Sequence, residues 1–224
     1  MKHKLMLLAV GALAALAFAA LPAVATAGEF AADCETGASC TATVEGGAAE
    51  LVNSAGEGIS CTAVSGTASV TSGSSTGSVK LAFTGCRENV TIFHFSCTNT
   101  ATSGKIETNT LTSHNIYIEP NASTPGVLLT GVNVTFSCAG FANKTVTGSI
   151  IGHIENPQCG TFAASHSITF EKSANGVQKY MQVTTSGEKF DLISNNDNGG
   201  EYLTSSQTGT GTLKYNSNKV KLTC

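Results

Sequence analysis

The chain has 224 residues, with 12 Lys and Arg against 15 Asp and Glu, no Trp, and a single arginine, Arg87. Binding nucleic acid by counterion release needs clustered Lys and Arg, as does attraction to an anionic membrane surface, and no such cluster follows the first four residues. Ser and Thr together supply 53 residues and Gly 24, so the polar surface is mostly uncharged hydroxyl and amide, suited to an extracellular setting of variable salt.

Lys2, His3 and Lys4 give a short basic start, and residues 5–21 are an apolar run of Leu, Ala, Val and Phe broken by Gly11. Pro22 leads to Ala25-Thr26-Ala27, with Gly28 behind it. This order is that of a secretory signal peptide cleaved after residue 27, and the run lies at the short limit for a spanning helix. An uncleaved N-terminal anchor is the alternative, against which the small-residue cleavage pattern argues. All eight cysteines follow this segment, and export permits disulfides. The expected location is secreted and extracellular, with cell-envelope association as a variant and no membrane span after cleavage. Residues 28–224 are enough for one domain with a substantial core, so disulfides would reinforce the fold rather than substitute for a core.

Beyond residue 27 helical periodicity is absent. Short β-branched and aromatic runs alternate with Gly, Ser, Asn and Asp clusters, the pattern of an all-β chain. Strands are predicted over 58–64, 78–83, 90–96, 115–119, 132–137, 145–154, 167–172, 178–184, 210–215 and 219–223. In Val132-Asn133-Val134-Thr135-Phe136 every second residue is apolar, which buries one face. Asn175-Gly176 suits a type I′ turn and predicts a hairpin over 167–184. Further hairpins are predicted to turn at Asn216-Ser217-Asn218 and at Ser186-Gly187. Residues 28–57 are less patterned and read as an N-terminal segment packed on an all-β domain of 58–224. The fold class expected is an antiparallel β-sandwich or barrel-like roll, reinforced by disulfides.

Four cysteines share one context: Ile59-Ser60-Cys61, Phe95-Ser96-Cys97, Phe136-Ser137-Cys138 and Leu222-Thr223-Cys224. On a strand, residues i and i+2 share a face, so each sulfur should point to the core with its apolar neighbour. Cys34, Cys40, Cys86 and Cys159 lie among turn residues. Eight cysteines allow 105 pairings; the pairing expected is Cys34–Cys40, Cys86–Cys97, Cys138–Cys159 and Cys61–Cys224. Zinc is disfavoured, because short Cys-x2–4-Cys knuckles are missing.

The order Ile59-Ser60-Cys61-Thr62, Phe83-Thr84-Gly85-Cys86, Phe136-Ser137-Cys138-Ala139-Gly140, Asn156-Pro157-Gln158-Cys159-Gly160 and Leu222-Thr223-Cys224 resembles a group of uncharacterised secreted proteins of soil actinobacteria. The resemblance spans about residues 58–224. It implies export and a bacterial origin, and brings no active-site residues.

Catalytic signatures are sparse. Gly73-Ser74-Ser75-Thr76-Gly77 fits G-x-S-x-G, but that motif needs a helix after the serine, and a strand is predicted there. Of the histidines, His94 lies between aromatics and is a candidate for burial with a lowered pKa. His153 shares a face with Glu155, as an oriented general base would, and as a strand histidine at a sheet edge also would. His114 and His166 form no paired-histidine spacing with them. Asn195–Glu201 departs from the EF-hand ligand pattern, and sequons at Asn89, Asn121, Asn133 and Asn143 are read as chance. No catalytic residue, metal site or cofactor is assigned from sequence. The favoured function is a non-catalytic extracellular or cell-envelope binding or structural protein, its partner a cell-wall or extracellular glycan or protein and not nucleic acid. Two alternatives are a glycan hydrolase and a secreted inhibitor. The hydrolase would use two of Glu107, Glu119, Glu155, Glu171 and Glu201 beside Tyr117, Tyr180 or Tyr202. The inhibitor would use an exposed loop at 155–159.

Overall fold

The computed structural model describes residues 28–89, 94–118, 123–139, 143–183, 189–195, 200–216 and 218–224. Their strands begin with β1 (Ala32–Cys34), β2 (Ser39–Gly46), β3 (Ala49–Asn53), β4 (Gly58–Cys61) and β5 (Ala63–Thr71). Next come β6 (Thr76–Thr84), β7 (Arg87–Glu88), β8 (Cys97–Thr98), β9 (Ile106–Glu107) and β10 (Leu111–Tyr117). The last are β11 (Pro125–Cys138), β12 (Asn143–Glu155), β13 (Phe162–Ala163), β14 (Ser165–Phe170), β15 (Leu192–Asn195), β16 (Leu203–Tyr215) and β17 (Val220–Leu222).

Fourteen of these strands form one sheet that closes on itself. The pair β2–β3 runs against β4–β5 in a single register, from Ser39↔Thr71 to Val52↔Gly58. A second unbroken register, from Ile59↔Glu88 to Val70↔Gly77, sets β4–β5 against β6–β7. The next stave is assembled from β8, β9 and β10, and is followed by β11 and β12. Then β14 and β15 together lie between β12 and β16, and β16 pairs back with β2 and β3. Each stave neighbours the next in sequence and the last meets the first. The expected all-β, disulfide-reinforced antiparallel fold is thus an up-and-down barrel of eight staves.

Alternation explains the walls. Ala42, Val44, Ala68, Val79 and Leu81 point inward and are buried, while Thr41, Ser65, Thr67 and Lys80 between them are exposed. Outside, hydroxyls meet across strands: Ser69 with Ser78 at 2.8 Å, Thr169 with Thr210 at 2.9 Å, and Ser167 with Thr212 and Thr135 with Thr145 at 3.0 Å. The abundance of Ser and Thr is the chemistry of an outer face that needs β propensity without charge. On β11 a bulge between Leu129 and Val132, with Gly131 at φ 77°, shifts the phase. Val127 and Leu129 face inward before it, and Val134, Phe136 and Cys138 after it.

Two accessory pieces complete the molecule. A three-stranded sheet, β1–β17–β13, stoppers the end where β5 turns into β6, bonded there through Ala32 to Gly73 and Ser74. Residues 171–183 and 189–191, between β14 and β15, leave the wall and cover the outside of β10–β12, where Ile116, Ile118, Leu128, Ile151, Val183 and Phe190 form a second apolar cluster. Gln178 pins this flap. Its amide accepts from the Ile151 N–H at 3.1 Å and donates to the carbonyls of Ser149 and Phe190 at 2.9 and 3.1 Å. It fills the seam where β12 changes partner from β15 to β14.

Several local expectations change. Residues 28–57 supply three strands, two of them in the barrel wall, rather than only packing on it. The 167–184 hairpin does not form, because both edges of β14 are taken by β12 and β16. Only a small turn remains at Asn175-Gly176, with Lys172 bridging Gln178. No hairpin joins β16 to β17, since β17 leaves the barrel to pair with β1 and β13. Gln182 bridges Lys189 around the turn expected at Ser186-Gly187, which lies outside the described residues, as do 90–93 of the strand expected at 90–96.

The disulfides are Cys34–Cys40, Cys61–Cys86, Cys97–Cys138 and Cys159–Cys224. Only the first matches the expected pairing, and strand register accounts for the other three. Continuing Ala63↔Thr84 by two residues places Cys61 opposite Cys86, Cys97 pairs directly with Cys138, and Phe162↔Lys221 extended by three brings Cys159 to Cys224. Cys86 also faces Cys97, whose N–H donates to the Cys86 carbonyl at 3.0 Å next to the Arg87↔Ser96 bridge. The expected Cys86–Cys97 pair are therefore neighbours in a buried row of four, but each bonds to its other side. Burial of Ile59 with Cys61 and of Phe136 with Cys138 follows the predicted shared face.

Candidate functional site: the barrel interior

Inward side chains from the eight staves line two apolar cavities, of about 100 Å³ and about 70 Å³. The larger lies towards the stopper, against Val44, Ala68, Val127, Ile154, Ile168 and Leu222. The smaller lies towards the cysteine row, against Ile59, Cys61, Phe136, Val146 and Leu192. Leu81, Leu129, Phe170 and Gln207 line both and form the waist between them. Room for the Phe170 ring comes from Gly152, where a Cβ would stand 2.8 Å from ring carbon Cε1.

Ser113, Asn115 and Thr76 also line the larger cavity and Thr108 the smaller, and two further polar groups on this lining differ in kind. His166 is buried and fully used: its Nδ1 accepts from the Tyr215 hydroxyl at 2.8 Å, and Nε2–H donates to the Pro157 carbonyl at 3.2 Å. Burial pushes its pKa below the ordinary histidine value, which keeps the ring neutral, and burial raises that of Tyr215. Gln207, by contrast, sits half-buried at the waist, and no hydrogen bond of its side chain is found among the described residues. Neither residue was singled out as an interior polar group from sequence; the inward parity of β16, with Leu213 and Tyr215 on the same face, is the signal that places Gln207 inside.

The surface candidates do not assemble into a catalytic set. Ser75 donates to the Glu29 carboxylate, whose other oxygen meets Nδ1 of His114 at 3.3 Å, so the carboxylate separates serine from histidine. A strand, not a helix, follows Ser75. His94, expected to be buried, is exposed in a left-handed backbone conformation with its ring on the Glu88 carbonyl. His153 does meet Glu155, at 3.4 Å, and stands beside the Tyr180 ring. Glu171 binds Lys179 and the Tyr180 hydroxyl nearby, but register sets Glu171 and Glu155 four residues apart along the outer face, on the order of 13 Å of backbone. Glycosidase carboxyls stand about 5 to 9.5 Å apart. Lys179 also holds the Glu171 carboxyl below its usual range, the wrong direction for a general acid. Glu107 is likewise lowered, by Lys105 at 2.6 Å. Tyr117 packs on Phe30, Tyr202 and Glu201 are exposed apart from these groups, and Glu119 lies outside the described residues. Asn195 is buried in β15 and accepts from the Thr145 N–H, which removes it from any calcium loop. Among the described residues no group of three His, Cys, Asp or Glu is placed to hold a metal ion.

The loop 155–159 has an unusual backbone and fixed ends. Asn156 and Gln158 both hold positive φ, at 45° and 49°, and the loop is clamped by Cys159–Cys224 and by His166 beneath Pro157. Asn156, Gln158 and Cys159 are exposed.

Comparison with family models, curated proteins and solved structures finds no match. The reading of function therefore rests on the residues themselves.

Proposed function

We propose that this chain is an exported, non-catalytic binding protein of the extracellular space or cell envelope, of bacterial origin. What carries the reading is the barrel interior: a closed wall around apolar cavities, while among the described residues the candidate acids, bases and nucleophile on the surface do not converge. The leader-like residues 1–27 and four disulfides support export, since such bonds persist in oxidising compartments. Fractionation of the native producer with N-terminal sequencing tests it. The expected product begins at Gly28, carries no free thiol, and is found in the medium or wall fraction. Full-length reduced protein in the cytoplasm would contradict it.

A second reading, a secreted inhibitor, is favoured by the clamped loop at 155–159, because a rigid exposed loop loses little entropy on docking. Replacement of Asn156 and Gln158 by Gly would relax that loop and should abolish inhibition of a protease by the native protein; no inhibition by the native protein would remove the reading, and inhibition that survived the replacement would remove the loop from it.

A further inference from the structure

We infer that the barrel holds a small uncharged molecule with an aliphatic body and one hydrogen-bonding group, the latter seated on the Gln207 amide. This rests on the binding reading above and specifies its ligand.

Three observations lead there. First, the cavities are of the right order: an engineered apolar cavity of about 150 Å³ stays dry and takes up benzene, and the two here, about 100 and 70 Å³, meet at shared waist residues. Second, Gln207 lines both cavities and its amide has no hydrogen-bond partner among the described residues, whereas Gln178, the buried glutamine of the flap, has its amide oxygen and nitrogen both engaged. A ligand hydroxyl or carbonyl would give this amide a hydrogen-bond partner. Water is a poor substitute, because it needs two to four polar partners and Leu81, Leu129 and Phe170 surround the waist. Third, no Lys or Arg lines either cavity, and His166 is committed to Tyr215 and Pro157. Glu50, at the edge of the smaller cavity, is taken by Lys172 and Asn89. An ionised carboxylate would enter with no counter-charge, so a fatty-acid anion does not fit.

The test uses the disulfide-bonded protein with 1-hexanol, hexane and hexanoate, each titrated while backbone amide resonances are followed. Hexanol should bind with shifts centred on Gln207, Leu129 and Phe170, and hexanoate at least tenfold more weakly. Gln207→Met should weaken hexanol about tenfold and leave hexane binding unchanged, the fold-change that one lost hydrogen bond gives. Retained hexane binding doubles as evidence that the variant is folded; should it fail to fold, Gln207→Leu serves, with hexanol again weakened about tenfold and hexane retained. Equal binding of hexanoate and hexanol, hexanol affinity indifferent to residue 207, or no binding of any probe would each overturn the inference. Because export is measured separately, a dry barrel in a protein recovered outside the cell would sink the ligand and leave the exported, non-catalytic role standing.

Discussion

Where β5 turns into β6, the barrel end is stoppered by a separate sheet, and the strands there are long: β5 and β6 have nine residues each. At the opposite end the ends of the long strands β11, β12 and β16 are joined by β3, β4, β7, β8 and β15, none of these five longer than five residues. Short strands exchange few backbone hydrogen bonds, and it is in this wall that Cys61, Cys86, Cys97 and Cys138 line up across four adjacent staves. The disulfides at the stoppered end instead hold β1 and β17 to their surroundings through Cys34–Cys40 and Cys159–Cys224. Covalent bonds thus replace ladder length at one end and fasten a closure at the other.

Removing the bonds that close long loops should cost most, Cys159–Cys224 with its separation of 65 first, then Cys97–Cys138. Replacing Cys97 and Cys138 by Ala opens a 41-residue separation and should destabilise by roughly 4 kcal/mol in the chain-entropy model, against roughly 2 kcal/mol for Cys34 and Cys40, separated by 6. Guanidinium denaturation of the two double variants measures the difference, and equal losses would contradict the dependence on loop length. Gln178→Ala leaves the Ile151 N–H and two carbonyls without their partner and should cost about 1–3 kcal/mol, with faster amide exchange confined to the flap and β12.

The stoppered end should also respond to pH through His166. Its folded pKa lies below its unfolded value, near 6.5, so the unfolded chain binds the proton first. Stability is complete above that value and falls as pH drops below it, towards the folded pKa. Thermal melts from pH 8 to 5 should show this decline in the native protein and a flatter profile in His166→Gln. Identical profiles would mean that another group carries the dependence. Least affected should be the outer hydroxyls: Ser69→Ala breaks one exposed contact with Ser78 and should change stability by less than about 0.5 kcal/mol.

These differences also show what could be read in advance. Alternation around Val134 and Phe136 and the inward set of the Ile59–Cys61 type were legible, because side-chain direction on a strand is a local property. Pairing was not. Cys86 and Cys97 are near in sequence and adjacent in the wall, yet registers set by distant strands turn each towards another partner. Asn175-Gly176 does turn, but whether flanking strands join depends on the free edges of β14, which sequence does not display. Gln207 escaped notice because its meaning depends on an interior formed by staves from the whole chain.

The most direct measurement is a tryptic map of the unreduced protein. Cleavage after Lys80, Arg87, Lys105 and Lys144 puts Cys86 on 81–87, Cys97 on 88–105 and Cys138 on 106–144. The barrel predicts 81–87 joined to the peptide carrying Cys61, and 88–105 joined to 106–144. A bond between 81–87 and 88–105 would contradict the wall and its register.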